Sequence, residues 1–222
     1  MDTVQPPTVV EIGGKLLRLA QRTITGKATL QERLVVDHEE LLELSKILRG
    51  MGCVIVFTEG TFDLAHIGHT RYLQKGKEEA ARQYPEAEHT ILVVGVDTDE
   101  LVRARKIDKG PNRPIVGQDE RMEMVASLRC VDIVTPLHAA EVLNRRLRPE
   151  VRVISTSTGD NPNLDALKRD CGVLIELRPQ AQTSTSARIR RLMIDGRMET
   201  VGKITAQLAT LIQGIQEEPT DE

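Results

Sequence analysis

His66 and His69 lie on either side of Gly68 and are the side chains of this chain best suited by position to bind an anion. Before them, residues 54–57 form an apolar run with the length of a buried parallel strand, and residues 70–82 can form a helix. A strand that leads through a turn into a helix presents free backbone N–H groups and the positive end of the helix dipole to a ligand. Imidazole N–H groups there can donate hydrogen bonds to phosphate oxygens, and Gly68 lets the backbone approach the ligand closely.

The alternative explanation is a strand, turn and helix whose histidines are ordinary surface residues. For one isolated histidine this explanation would be the better one, because histidine has many structural roles. The combined pattern is far more restrictive, since Gly60-Thr61-Phe62-Asp63 precedes His66-Ile67-Gly68-His69. The pattern therefore favours a phosphate-binding turn, provided that a strand precedes it and a helix follows it.

This combined pattern resembles the signature of the HIGH-motif nucleotidyltransferases, and the resemblance extends over residues 30–195. It implies that a phosphate oxygen of an acceptor attacks the α-phosphorus of a nucleoside triphosphate and that pyrophosphate leaves. It also implies Mg²⁺ as the cofactor. Because Mg²⁺ keeps several waters and is bound largely by substrate phosphates, no carboxylate cluster is expected to hold it.

A basic, Gly/Pro-rich loop follows the second predicted strand and includes Lys106 and the segment 109–114. A cationic loop at the carboxyl edge of a sheet can close over a triphosphate. With Arg121, the loop resembles the heptose-phosphate adenylyltransferase and alcohol-phosphate cytidylyltransferase branches. The resemblance implies that Lys106 or Lys109 contacts the triphosphate and that Arg121 supports the site. The alternatives are a solvated loop and, for Arg121, a helix-surface ion pair of little energetic value.

A hydroxyl-rich segment, residues 183–186, precedes a predicted helix near the end of the chain. A single hydroxyl would suffice to cap that helix, whereas several can also donate to phosphate. Together with Arg188, the segment resembles the second family signature, which binds the β- and γ-phosphates, and Arg178 matches an arginine that often precedes it. Residues 159–160 lie where the family recognises the nucleoside.

The resemblance thus assigns catalytic roles to His66, His69, Lys106, Lys109 and Arg188. It assigns nucleotide or phosphate binding to Thr58, Gly60, Thr61, Phe62, Asp63, Gly68, Arg121, Gly159, Asp160, Arg178, Ser184, Thr185 and Ser186. Glu59 and Thr61 depart from the Asn and Cys that are usual in the heptose branch.

Apolar runs alternate with helical stretches through most of the chain. The predicted strands are 53–57, 91–96, 131–134, 151–154 and 173–177, and the predicted helices between them are 69–83, 117–129, 138–147 and 162–170. This order favours an α/β fold with a Rossmann-like, doubly wound parallel sheet and helices on both faces. In such a sheet the ligand lies at the carboxyl ends of the strands, where the histidine turn falls. We expect an N-terminal helical extension and linker at 1–35, the nucleotidyltransferase domain at 36–216 and an acidic tail at 217–222.

Composition limits the function classes. Among 222 residues the net charge is −3 and aromatic residues make up 2%, which argues against a broad nucleic-acid surface and against base stacking. The three cysteines have neither disulfide nor zinc spacing. Neither a signal peptide nor an apolar run of membrane-spanning length occurs in the sequence, so a cytoplasmic protein is expected.

The predicted function is transfer of AMP or CMP to a small phosphorylated acceptor, with a heptose-phosphate adenylyltransferase slightly favoured. A glycerol-phosphate or ethanolamine-phosphate cytidylyltransferase is the alternative within the enzyme class, and a non-catalytic nucleotide-binding module is the alternative outside it. The expected partners are ATP or CTP, the acceptor and a second copy of the chain, without nucleic acid or membrane.

Overall fold

A five-stranded parallel sheet with strand order β3-β2-β1-β4-β5 organises the protein. The computed structural model describes residues 9–105, 113–156, 164–181 and 200–208. The strands are β1 (Cys53–Gly60), β2 (His89–Asp97), β3 (Ile133–Leu137), β4 (Val151–Ser155) and β5 (Val173–Leu177). All strand pairs are parallel, so the predicted α/β class with a doubly wound parallel sheet is confirmed.

Helices cover both faces of this sheet. They are α1 (Val9–Ile24), α2 (Leu30–Arg33), α3 (His38–Gly50), α4 (Ile67–Gln83), α5 (Asp99–Arg105), α6 (Gln118–Ala126), α7 (Ala140–Leu147) and α8 (Leu164–Arg169). Each predicted helix between the strands is present, with ends that shift by a few residues.

The two faces of the sheet have separate aliphatic cores. Along β1, Ile55 and Phe57 pack with α1, α3 and α7, whereas Val54 and Val56 pack with α4 and α6. This alternation follows from the two-residue repeat of a strand. Because both faces are buried, the central strands need continuous apolar sequence, and that requirement is the reason why the apolar runs predicted them correctly.

Strand order reverses between β1 and β4, and this reversal creates the crevice in which doubly wound sheets bind ligands. Thr58, near the carboxyl end of β1, joins the two sides of the reversal. Its hydroxyl donates to the Val153 carbonyl oxygen of β4 at 3.0 Å and shares a 2.8 Å hydrogen bond with the Tyr72 hydroxyl of α4. Thr58 therefore holds the first turns of α4 against the crevice. Its predicted contact with nucleotide stays a prediction.

The chain divides into two compact units, residues 1–182 and 183–222. The first contains the sheet and α1 to α8. In the second, the described residues 200–208 are helical. None of the helices in the described ranges combines the length and the apolar character needed to cross a membrane.

Alkaline titration tests the packing at the β1–β4 reversal, because burial raises the pKa of Tyr72 to about 12. In the unfolded chain this phenol ionises near its ordinary pKa of about 10. The unfolded state then loses its proton first, so the free energy of unfolding falls as pH rises from about 10 towards 12. We expect Tyr72→Phe to flatten that fall in urea unfolding measured across this pH range.

The chain has two tyrosines and no tryptophan, so tyrosinate absorbance reports only Tyr72 and Tyr84. Burial also raises the pKa of Tyr84, so its signal would overlap with that of Tyr72. Tyr84→Phe is therefore the matched control, because Tyr72 is then the single tyrosine that contributes to the absorbance. Ionisation of Tyr72 near pH 10 in the folded Tyr84→Phe protein would contradict this packing.

Candidate active site

The segment 60–69, which joins β1 to α4, is called the HIGH-like turn, or histidine turn. Its two histidines cap the N-terminus of α4 reciprocally. His66 is the N-cap residue, and its Nδ1 accepts a hydrogen bond from the Gly68 backbone N–H at 3.1 Å. His69 Nδ1 accepts from the His66 backbone N–H at 3.2 Å. These bonds are a capping box built from imidazoles rather than from a hydroxyl and a carboxylate. The sequence pattern did not indicate this capping role.

The capping bonds fix the protonation of both rings. Since each Nδ1 accepts a hydrogen bond, a neutral imidazole in this place carries its proton on Nε2. The ring centroids of His66 and His69 are 4.1 Å apart, so the two Nε2–H donors belong to adjacent rings. No acidic residue occurs in the first turn of α4, so that turn holds no carboxylate to compete with an anionic ligand.

Gly68 is required by the same geometry. A Cβ atom at this position would lie 2.8 Å from His66 Cε1, 2.9 Å from His66 Nδ1 and 3.0 Å from the Ala181 Cβ. Any side chain would therefore displace the capping imidazole. The structure thus gives Gly68 a packing role in addition to its predicted approach to the ligand.

The turn between β1 and α4 contains strained backbone. Phe62 and Leu64 have positive φ values of 53° and 48°, which non-glycine residues rarely adopt. Phe62 is buried, and its ring meets the His69 ring edge-on at a centroid distance of 5.4 Å. Gly60 leaves room for that ring, because a Cβ there would lie 3.1 Å from it. Strain of this kind concentrates at functional sites, where surrounding contacts hold it in place.

Asp63 anchors the segment that follows the basic loop. Its Oδ2 accepts from Arg113 Nη2 at 2.9 Å and Nε at 3.1 Å, and its Oδ1 accepts from the backbone N–H groups of Ile115 and Val116. The carboxylate is buried. These bonds connect the HIGH-like turn to the end of the basic loop, so Asp63 positions protein backbone. Its predicted contact with phosphate stays a prediction.

Arg121 is a fully buried centre of hydrogen bonds on α6. Nη1 donates to the Thr61 carbonyl oxygen and Nη2 to Asp99 Oδ1, both at 2.6 Å, and Nε donates to the Val116 carbonyl oxygen at 2.9 Å. The alternative that Arg121 forms only a helix-surface ion pair is wrong, because no part of its side chain is exposed. The guanidinium instead fixes the turn after β1 relative to α5 and the segment after the basic loop.

A carboxylate cluster occupies the carboxyl ends of β1 and β2. Thr61 Oγ1 donates to Asp97 Oδ2 at 2.7 Å, and Arg105 Nη1 lies 3.5 Å from Asp97 Oδ1. Glu59 lies nearby on β1, where burial raises its pKa and the Arg152 charge opposes that rise. Sequence analysis noted Glu59 only as a departure from the family and did not single out Asp97 or Arg152.

Several predicted site residues lie outside the described residues: Lys106, Lys109, Gly159, Asp160, Ser184, Thr185, Ser186 and Arg188. Arg178 is described and lies exposed directly after β5, at the carboxyl edge of the sheet. Within the described ranges, no three His, Cys, Asp or Glu side chains group closely enough to hold a metal ion. Free cysteines occur at 53, 130 and 171, and the first two are buried.

The role of Arg121 can be tested by its removal. We expect Arg121→Met to lower the free energy of unfolding by about 3–5 kcal/mol, because the partly buried Asp99 carboxylate loses its counter-charge and two carbonyl groups lose their hydrogen-bond donor. Urea unfolding followed by circular dichroism measures this loss.

Arg103→Met is the matched control. Arg103 lies 3.9 Å from the same Asp99 carboxylate but is 62% exposed, so its loss should cost less than about 1 kcal/mol. Equal stabilities of the two variants would contradict the central role of Arg121.

Comparisons with known proteins bear on the family of this chain. The family model described as cytidylyltransferase-like matches residues 57–210. The chain is similar to the bifunctional protein HldE of Hydrogenovibrio crunogenus (42% identity, 53% of this chain and 22% of that protein). It is also similar to those of Helicobacter pylori P12 (38% identity, 57% and 26%) and Syntrophotalea carbinolica (36% identity, 52% and 22%).

This chain spans about a quarter of the length of these curated relatives. The family match itself covers more than half of the chain and includes the end of β1, the HIGH-like turn, α4 and every later strand. The chain belongs to the cytidylyltransferase-like family.

Proposed function

We propose that this protein is a nucleotidyltransferase that transfers a nucleoside monophosphate from a nucleoside triphosphate to a small phosphorylated acceptor. One observation carries the proposal: two imidazoles with their protons fixed on Nε2 begin α4 at the carboxyl end of β1. That position adjoins the strand-order reversal, where doubly wound sheets bind ligands. Membership of the cytidylyltransferase-like family supports it.

In the proposed reaction an acceptor phosphate oxygen forms a bond to the α-phosphorus. The bond between this phosphorus and the α,β-bridging oxygen breaks, and its electron pair leaves with pyrophosphate. An anionic phosphate is already a nucleophile, so the reaction needs alignment and charge stabilisation more than a general base. The Nε2–H groups of His66 and His69 would donate to oxygens on which negative charge builds during this transfer.

Mg²⁺ is proposed to enter with the triphosphate. The donor set favours this route, because Asp63 and Asp99 are bonded to Arg113 and Arg121, and the described residues offer no three-ligand cluster. When bound, the ion neutralises phosphate charge. Lys106 or Lys109, Arg188 and the segment 184–186 are proposed to hold the departing phosphates, as the resemblance implies.

A heptose-phosphate adenylyltransferase is the favoured branch, because the basic loop with Arg121 resembles that branch and the chain is similar to the HldE proteins. A glycerol-phosphate or ethanolamine-phosphate cytidylyltransferase remains the second candidate, since Glu59 and Thr61 depart from the heptose pattern. We also propose that the protein assembles as a homodimer and is located in the cytoplasm.

Pyrophosphate release tests the proposal. ATP, CTP, GTP and UTP would each be combined, in the presence of Mg²⁺, with heptose 1-phosphate, glycerol 3-phosphate, phosphoethanolamine, phosphocholine, ribitol 5-phosphate and flavin mononucleotide. We expect release from one pair, with heptose 1-phosphate and ATP as the first choice. Tight nucleotide binding without release from any pair would instead favour a binding module.

His66→Asn separates capping from catalysis. Asparagine is among the best N-cap residues, so α4 should still begin at the same place. It lacks an N–H at the Nε2 position, and we expect turnover to fall by about 10²–10³-fold, the usual cost of losing one oxyanion donor.

The same loss is expected for His69→Ala, measured with the substrate pair found above. Circular dichroism and the melting temperature serve as controls of folding. Near-normal turnover in a folded variant would remove that histidine from the mechanism.

A further inference from the structure

The Glu59–Arg152 pair lies beside the crevice, on the sheet face opposite the histidine turn. Glu59 follows Phe57 on the face of β1 that packs with α3 and α7, and Arg152 pairs in register with Phe57 from β4. The Arg152 guanidinium stacks on the Phe57 ring, with Cζ 4.7 Å from the ring centroid. The histidine turn leads into α4, which packs on the other face. The two faces of the carboxyl edge therefore carry different chemistry.

Within this pair, hydrogen bonding among the described residues is incomplete. Arg152 Nη2 lies 3.0 Å from Glu59 Oε1, a contact that has the distance of an ion pair but not the alignment of a hydrogen bond. Nη1 donates to the carbonyl oxygens of Phe57 and Val153. Glu59 Oε2, Arg152 Nε and Arg152 Nη2 are buried, and the described residues supply no hydrogen-bond partner for them. Buried polar atoms in this state are uncommon and costly unless something else satisfies them.

The side chains of Glu59 and Arg152 differ in solvent exposure. Arg152 is completely buried, whereas the Glu59 side chain is 22% exposed at the carboxyl end of the central strand. The exposed part of the Glu59 side chain can therefore be reached from the carboxyl edge of the sheet without moving Arg152, whereas Oε2 itself is buried. Arg152 is a fixed counter-ion whose charge opposes the rise that burial causes in the pKa of Glu59.

The negative charge at the ends of β1 and β2 determines which part of a substrate can bind on the sheet face opposite α4. Glu59 and Asp97 place carboxylates at the ends of β1 and β2, and they would repel phosphate oxygens. Phosphates are favoured on the α4 side, where the helix N-terminus and the histidines lie. A carboxylate with an unpartnered oxygen accepts hydrogen bonds well, and hydroxyl groups of a sugar are neutral donors.

We propose that Glu59, positioned by Arg152, accepts hydrogen bonds from sugar hydroxyls of a bound substrate and so selects polyhydroxylated ligands. The hydroxyls come from the phosphorylated acceptor or from the ribose of the nucleotide. This inference rests on the proposed function for the identity of the substrates, but its test needs binding alone.

Isothermal titration calorimetry of the full chain provides the test. The titrants are heptose 1-phosphate, ribitol 5-phosphate and glycerol 3-phosphate for the acceptor arm, and ATP with 2′-deoxy-ATP and 3′-deoxy-ATP for the ribose arm. Glu59→Gln keeps the shape of the side chain and removes its charge. We expect it to weaken one arm by about tenfold, in line with hydrogen bonds to charged groups.

The affected arm identifies the source of the hydroxyls. If the acceptor supplies them, the Kd of the tightest sugar phosphate rises and the Kd of ATP does not. If the ribose supplies them, the Kd of ATP rises while that of one deoxy analogue stays the same, since that analogue lacks the hydroxyl. Unchanged Kd values in both arms for a folded Glu59→Gln protein would overturn the proposal.

Two further variants guard against a folding artefact. The double variant Glu59→Ala with Arg152→Met removes the whole pair, so no buried charge is left alone, and we expect at least the same loss of affinity. Thr135→Val is the matched control, because Thr135 is fully buried and its Oγ1 also has no partner among the described residues. Its removal should leave every Kd unchanged, and an equal loss there would overturn the assignment to Glu59.

The calorimetric result is independent of turnover. Sugar-phosphate or ATP binding that depends on Glu59, without pyrophosphate release from any pair, would contradict the proposed function and support this inference. Pyrophosphate release with Kd values that are the same in the Glu59→Gln variant would support the proposed function and contradict this inference.

Discussion

The start of α4 has to satisfy its free backbone N–H groups and still leave donors for a ligand, and the site depends on how this conflict is resolved. Every α-helix begins with unsatisfied N–H groups. Here the Nδ1 atoms of His66 and His69 accept two backbone N–H bonds in this turn, which places both ring protons on Nε2. The same two side chains therefore cap the helix and supply oriented donors, and the helix dipole adds to their effect on an anion. Neither ring can rotate without losing a capping bond, so the donors are preorganised.

The surrounding turn is held by two buried ionic residues rather than by apolar packing alone. Asp63 binds the segment after the basic loop, and Arg121 binds the turn after β1, this same segment and α5. Because each has partners from separate parts of the chain, displacement of one segment would leave buried charges unpaired. The strained backbone at Phe62 and Leu64 can persist in such a frame.

The sequence predicted the sheet well because its central strands are buried on both faces and read as apolar runs. It placed the third strand at 131–134, whereas β3 is Ile133–Leu137. Val131 belongs to the turn after α6, where its N–H donates to the Leu128 carbonyl oxygen. The strand continues through Pro136 because β3 is an edge strand, where a missing N–H can face away from the sheet.

Motif spacing located the histidine turn, but it could not predict which side chains form its frame. Arg121 was identified from the resemblance, yet its partners come from distant segments and only the fold brings them together.

Arg152 was missed, although a charged residue inside the apolar run of β4 was a usable signal. At the reversal β1 and β4 pair only at Val56–Val151 and Phe57–Arg152, so the ladder between these two strands ends at that level. Arg152 Nη1 and the Thr58 hydroxyl both donate to the Val153 carbonyl oxygen, and Nη1 also reaches that of Phe57. The arginine thus satisfies backbone that the parting strands expose, so the crevice can open there without leaving these carbonyl groups unsatisfied.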